Sequence, residues 1–260
     1  MSETKRVIID AGHGGSDPGA VFEGRQEKDD ALRLALAVGR ILENNGVEVM
    51  YTRVTDVFDS PLEKAQMANR SGADYLISIH RNAMPIPGTA SGVMSLVYEK
   101  GGTAELLGNN INRQLAQAGF EDLGVIERPG LILLRRSEMP AVLVEAGFID
   151  NPSDNAVFDS RFEEIAGAIA AGILQTMREE DELRPEYYQI QVGAYVSRQV
   201  AEEVTMELME QGYPAFYIYQ DGYYKVRVGA FLNLDNAVHM EARLRRDGWN
   251  TMLVLEPAVY

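Results

Sequence analysis

The sequence predicts an α/β protein in two parts: a largely parallel sheet flanked by helices, then a small α+β sandwich of two repeated halves. Three observations predict it. Short apolar runs alternate with longer amphipathic stretches through residues 1–178, the pattern of strands joined by crossover helices. A charged segment interrupts that pattern at 179–186. Beyond it, an offset of 36 positions brings the chain into register with itself, the mark of an internal duplication.

The apolar runs predict strands over 7–10, 47–52, 75–80, 93–97 and 141–145. Between them, helical patterns occupy 29–44, 61–71, 104–118 and 162–177. Gly46 supplies a helix stop before the second strand. Arg178-Glu-Glu-Asp-Glu-Leu-Arg-Pro-Glu186 has no apolar periodicity and carries a proline, so it reads as a linker. In the remainder, 187–260, Val192-Gly-Ala-Tyr195 matches Val228-Gly-Ala-Phe231. At the same offset Ala201 matches Ala237, Leu208 matches Leu244, Gly212 matches Gly248 and Tyr213 matches Trp249. Each half is a strand, a helix, a glycine stop and a second strand, and two halves make one sheet with two helices on one face.

Composition narrows the function. The chain of 260 residues is 46% hydrophobic and 24% charged, enough to bury a sizeable core. Its net charge of -15 repels DNA, RNA and anionic lipid, which are bound through basic surfaces; we read the charge as a solubility device. The absence of cysteine excludes disulfides, thiolate zinc sites and cysteine nucleophiles. Any metal is therefore held by His, Asp and Glu. The N-terminus carries no visible signal peptide, and no segment is apolar for long enough to span a membrane. The expectation is a chain made soluble in the cytoplasm.

Three residues converge by topology. His13 lies in a glycine-rich loop after the first predicted strand, His80 ends the third, and Glu145 ends the last. Ligand sites of open α/β sheets form outside the carboxyl ends of the strands, so all three share one rim. The loop lacks the G-x-G-x-x-G and G-x-x-x-x-G-K-[ST] spacings of a phosphate cradle. Taken singly, each residue has a plain structural role open to it. Glu27 has the readiest one, since the dipole favours a carboxylate at a helix start. His239, in the last predicted helix, reads as an ordinary helix residue.

Four blocks give the chain a resemblance. Asp10-Ala-Gly-His-Gly-Gly-Ser-Asp-Pro-Gly-Ala20, Gln26-Glu-Lys28, Ser78-Ile-His-Arg-Asn-Ala83 and Pro140-Ala-Val-Leu-Val-Glu-Ala-Gly-Phe-Ile-Asp-Asn151 resemble, in order, the signature blocks of the zinc-dependent N-acetylmuramoyl-L-alanine amidases, type 3. They span about four-fifths of the first part of the chain. The resemblance implies that His13, Glu27 and His80 bind one zinc per chain and that Glu145 is the essential carboxylate. Leu134-Arg135 is similar to the family's Leu-Arg segment, which makes Arg135 a candidate substrate contact; Asn82, two residues past His80, is a second candidate for orienting substrate, with capping of the following turn as its plain role. Two imidazoles and a carboxylate leave zinc an open position, as catalytic sites require. The bond cut would join the lactyl group of N-acetylmuramic acid to L-alanine of the stem peptide.

The duplicated part resembles a SPOR (sporulation-related repeat) domain, a ferredoxin/RNP-like sandwich. That resemblance implies binding of peptidoglycan glycan strands stripped of stem peptides, through the face of the sheet. Gln189, Gln191, Tyr217, Tyr219, Tyr224 and Arg227 are the candidate contacts. The expected protein is thus a cell-wall hydrolase, acting in mother-cell lysis at sporulation or as a phage lysin. The other readings are a non-catalytic wall-binding protein on the same fold and a metallohydrolase of other substrates.

Overall fold

The structure, a computed structural model, describes residues 4–183 and 186–257. The chain divides into two units, residues 1–180 and 181–260. In order, the first contains β1 (Arg6–Ala11), β2 (Val21–Phe22), β3 (Arg25–Gln26), α1 (Glu27–Asn44), β4 (Glu48–Tyr51), α2 (Pro61–Ser71) and β5 (Tyr75–Asn82). There follow β6 (Val93–Val97), α3 (Thr103–Gln117), β7 (Asp122–Glu127), α4 (Ile132–Arg136), β8 (Ala141–Phe148), α5 (Pro152–Ser160) and α6 (Phe162–Leu183). Six strands form one sheet in the order β4-β1-β5-β8-β6-β7. Its pairings are parallel except β6 with β8, so the predicted sheet is present.

Alternate side chains of the sheet feed two cores, as period-2 geometry dictates. Val7, Ile9, Ile77, Ile79, Val142 and Val144 pack with buried residues of α1, α3 and α6. Ile8, Leu76 and Leu143 pack on the other face with Ala65 and Ala68 of α2 and with Leu133 and Leu134 of α4. The central strands are covered on both faces and therefore read as unbroken apolar runs. α2 starts on a capping box, with Ser60 and Glu63 satisfying each other's backbone N–H and Pro61 at the first turn.

Two differences from the sequence reading bear on the site. β5 runs past His80 to Asn82, and β8 past Glu145 to Phe148, so both residues lie within their strands, short of the ends. The helix α6 continues to Leu183, into the segment read as linker. Its charged residues are tied to other elements: Glu179 accepts from Asn110 (2.9 Å), and Glu180 accepts from Thr103 (2.6 Å). Partners distant in sequence keep this stretch helical where local pattern gave no reason for it.

The second unit contains β9 (Glu186–Tyr195), α7 (Arg198–Glu210), β10 (Ala215–Gln220), β11 (Tyr223–Phe231), α8 (Leu234–Arg246) and β12 (Met252–Pro257). Its four strands are antiparallel in the order β10-β11-β9-β12. Residues paired by the repeat occupy matching places in one core: Ala201 and Ala237, Leu208 and Leu244 are all fully buried.

This sheet divides the six candidate glycan contacts between its faces. Tyr217 stands opposite Val226 and Tyr219 opposite Tyr224, which puts all three tyrosines on the side of buried Val226 and Val228; Tyr217 and Tyr224 pack against the core there, while Tyr219 is exposed. The Tyr217 hydroxyl donates to Glu202 of α7 (2.8 Å). Gln189, Gln191 and Arg227 lie on the opposite face, where Arg227 donates to Gln189 (2.9 Å) and Glu256 (2.8 Å). Within β11, Tyr224 and Arg227 are three positions apart and so fall on opposite faces, against the expectation that both meet glycan; between β9, β10 and β11 the phase is set by pairing and by the irregular register at Val226/Arg227. His239 is exposed on α8.

Candidate metal centre and active site

Three parallel strands, β1, β5 and β8, bring the site together at their carboxyl ends. His13 sits two residues past β1, while His80 and Glu145 are register partners on adjacent strands. Glu27 is the first residue of α1 and faces both histidines. Its Oε1 lies 2.8 Å from His80 Nδ1 and its Oε2 lies 3.1 Å from His13 Nε2. The backbone ties Glu27 further: Ala20 N–H donates to Oε2 (2.9 Å), Arg81 N–H to Oε1 (3.1 Å), and Glu27 N–H returns to Ala20 O (2.9 Å). A residue held only for the helix dipole would not be buried to 4% exposure and turned inward.

Among the described residues, His13, Glu27 and His80 form the one group of three whose ligand atoms lie within 4.8 Å of one another. Two imidazoles and a carboxylate are a donor set suited to zinc, so the residues present fit the metal implied by the resemblance. His13 Nδ1–H donates to Asp17 (2.8 Å), which leaves Nε2 turned inward, the carboxylate–histidine orientation found behind metal ligands. Asp17 was missed in the sequence; its signal was a carboxylate four residues after the histidine in a glycine-rich loop.

Electrostatics follow from this crowding. Burial pushes the Glu27 carboxyl up, but the two imidazoles outweigh it and carry Glu27 well below the usual carboxylate range. Burial pulls His13 down, and its bonds to Glu27 and Asp17 overturn that and raise it to about 9. Glu145 behaves oppositely. Burial, with the Glu27 charge nearby, raises it to about 7 against the pull of the histidines. Its Oε2 is buried without a hydrogen-bond partner, and buried polar atoms are nearly always satisfied. Glu145 lines a cleft of about 300 Å³ whose walls also include His13, Glu27, His80, Asn82, Leu96, Leu131 and Leu143.

Asn82 closes β5 on the cleft wall; its Oδ1 accepts from Ala83 N–H (2.8 Å), and its amide nitrogen has only the Met94 sulfur at 3.6 Å. Arg135 is exposed on α4 and does not line the cleft.

Gly12 is a glycine because of His80. A Cβ at Gly12 would stand 2.4 Å from the His80 ring, so Gly12→Ala must displace this residue of the site. A misplacement of about 1 Å costs about 10²-fold in rate, and we expect kcat/KM on peptidoglycan to fall by about that factor while far-UV circular dichroism is retained. Parental kcat/KM would refute the packing role.

Comparison with known proteins agrees with this geometry. The family model described as N-acetylmuramoyl-L-alanine amidase matches residues 7–175, and the SPOR domain model matches residues 185–254. The chain is 35% identical to the sporulation-specific N-acetylmuramoyl-L-alanine amidase of Bacillus subtilis (strain 168), over 83% of this chain and 85% of that protein. It is also 35% identical to the endolysin of Bacillus phage SPP1, over 67% of this chain and 66% of that one. The crystal structure of an N-acetylmuramoyl-L-alanine amidase from Clostridium difficile 630 superposes with a TM-score of 0.65 at 31% identity, covering 69% of this chain and all (100%) of the other. With a family match across most of its length and a sheet rim that assembles the expected residues, the chain belongs to the N-acetylmuramoyl-L-alanine amidases and carries a SPOR domain at its C-terminal end.

Proposed function

We propose that this peptidoglycan amidase is zinc-activated, with His13, Glu27 and His80 holding one zinc per chain and Glu145 acting as the catalytic acid–base. The observation that carries the reading is the unpaired, buried Glu145 oxygen beside a three-residue donor set. Bound there, zinc supplies a Lewis acid for the scissile carbonyl and makes water acidic enough to attack near neutral pH. Glu145 in its carboxylate form accepts a proton from the attacking water and hands it to the leaving amine of L-alanine. Burial holds Glu145 up, to about 7 without the metal, toward the range in which a catalytic acid–base works best. Asn82, whose amide nitrogen is only weakly engaged, orients the substrate carbonyl, and the leucines of the cleft exclude water. Arg135, outside the cleft, reaches the stem peptide beyond the cut. Zinc titration of metal-free protein tests the ligand set: one zinc per chain is expected, and none after His13→Ala with His80→Ala; uptake by the double variant would overturn it.

The second part adds a destination. An amidase makes peptide-free glycan, and a domain that holds peptide-free glycan keeps the enzyme beside uncut strands at high effective concentration. We place the functional division within 179–186, between the amidase part (1–178) and the glycan-binding part (187–260). Of the candidate contacts, Gln189, Gln191 and Arg227 share the helix-free face, and they are the ones proposed to meet sugar; Tyr217 and Tyr224 support that face from beneath. A chain ending at 186 is expected to lose co-sedimentation with denuded glycan while keeping amidase turnover on small muropeptides. Undiminished co-sedimentation would remove the second part from the account.

The similarity to a sporulation-specific amidase across both parts supports a role in mother-cell lysis. The phage endolysin match, over a smaller share of the chain, supports the alternative. In the native host, a chromosomal Glu145→Gln allele is expected to delay release of mature spores; release on schedule would favour the lysin reading. Among the described residues, no helix is long and apolar enough to cross a membrane.

A further inference from the structure

Arg53 lies two residues past β4 and is only 3% exposed. Its donors go to backbone carbonyls. Nε donates to Ala11 O (3.0 Å), Nη1 to Thr55 O (3.1 Å), and Nη2 to both Gly12 O (2.7 Å) and Lys28 O (2.9 Å). Ala11 and Gly12 are the two residues before His13, and Lys28 is the residue after Glu27. Gly12 itself packs against the His80 ring. One guanidinium therefore joins the backbone carrying the first ligand to the backbone carrying the second, through a residue that abuts the third.

The loop it holds has reason to need holding. His13 sits at φ 57°, the left-handed region that a residue with a Cβ occupies only where its surroundings over-determine it. Lys64, also buried, completes the restraint by donating to Ala11 O (2.7 Å) and His13 O (3.2 Å), with Asp10 beneath it at 3.0 Å. Three successive carbonyls thus turn inward onto two cations, which leaves the His13 side chain turned toward Glu27.

We propose that Arg53 is a positioning residue for the metal centre: its planar fork sets the separation between the His13 loop and the first turn of α1, and with it the affinity and geometry of the metal. Lysine cannot substitute, because its donors diverge from one nitrogen while these four carbonyls are served by three nitrogens of a rigid plane. A plainly structural arginine would stabilise the fold and leave the metal indifferent.

The inference rests on the proposed zinc site, and the test separates the two. In the full chain, Arg53→Lys and Arg53→Gln are compared with the parent and with Ile169→Val, a core change on α6 that does not line the cleft. Zinc affinity is read by chelator competition, cobalt(II) geometry by its visible absorption spectrum, and folding by circular dichroism. Removing a partner behind the ligands weakens metal binding by about 10–100-fold. We expect that loss, with a shifted cobalt spectrum, in both Arg53 variants and neither change in Ile169→Val. If Arg53→Gln does not fold, Arg53→Lys decides alone. Parental zinc affinity and an unshifted spectrum in Arg53→Lys, or an equal loss in Ile169→Val, would overturn the proposal. A parent that binds no zinc would instead overturn the metal site itself.

Discussion

Glu145→Gln is expected to lower kcat on peptidoglycan by about 10²–10⁴-fold, the usual contribution of a positioned acid–base, while zinc binds as in the parent. The substitution keeps shape and removes the ability to carry a proton. It also places a neutral amide where a carboxyl is held near 7 by burial, so the fold has no charge left unpaired and stability is retained. The pH profile carries the sign. Glu145 accepts a proton only when ionised, so kcat/KM rises with pH through its pKa; a dication beside it favours the ionised form, which places that acidic limb below about 7 in the zinc-loaded enzyme. A Glu145→Gln enzyme of parental kcat would remove Glu145 from the chemistry.

The second large effect belongs to Glu27. Its two readings differ sharply in magnitude. As a helix-start carboxylate it contributes about 0.3–1 kcal/mol to stability, and Glu27→Gln would lower Tm slightly and nothing else. As a metal ligand its loss exceeds that of any residue behind the ligands, so zinc affinity falls by more than about 100-fold. The structure favours the second, because Glu27 bridges both histidines at 2.8 and 3.1 Å. Zinc affinity of Glu27→Gln, measured by chelator competition beside a thermal melt, decides between them; parental affinity with a small drop in Tm would return Glu27 to the helix.

What the sequence showed and hid divides along physical lines. β1, β5 and β8 are buried on both faces, so their apolar runs were legible, and parallel connection put His13, His80 and Glu145 on one rim before any coordinates were needed. β7 escaped because Gly124 sits within it at φ 83°, and a glycine interior weakens a strand pattern. The short helices α4 and α5 were missed for want of length, although Pro152 after the capping residue Asn151 marks the start of α5. Arg53 and Lys64 were invisible in a different way. A lysine or arginine in a loop or helix reads as surface, and only the fold reveals that these two face carbonyls of a loop more than 40 residues upstream. The relative phase of strands in the second sheet was hidden for the same reason, since pairing decides it, although the odd spacing of Tyr224 and Arg227 within β11 already separates those two.

If His13, Glu27, His80 and Glu145 make a zinc-dependent amidase, digestion of purified peptidoglycan will depend on the metal. Products are assayed for new L-alanine amino termini and for new reducing sugar ends, with the enzyme untreated, chelator-treated, and chelator-treated then restored with zinc. New alanine termini without reducing ends are expected, lost on chelation and regained with zinc. Alanine termini that persist undiminished in chelator, or reducing ends in their place, would contradict this assignment.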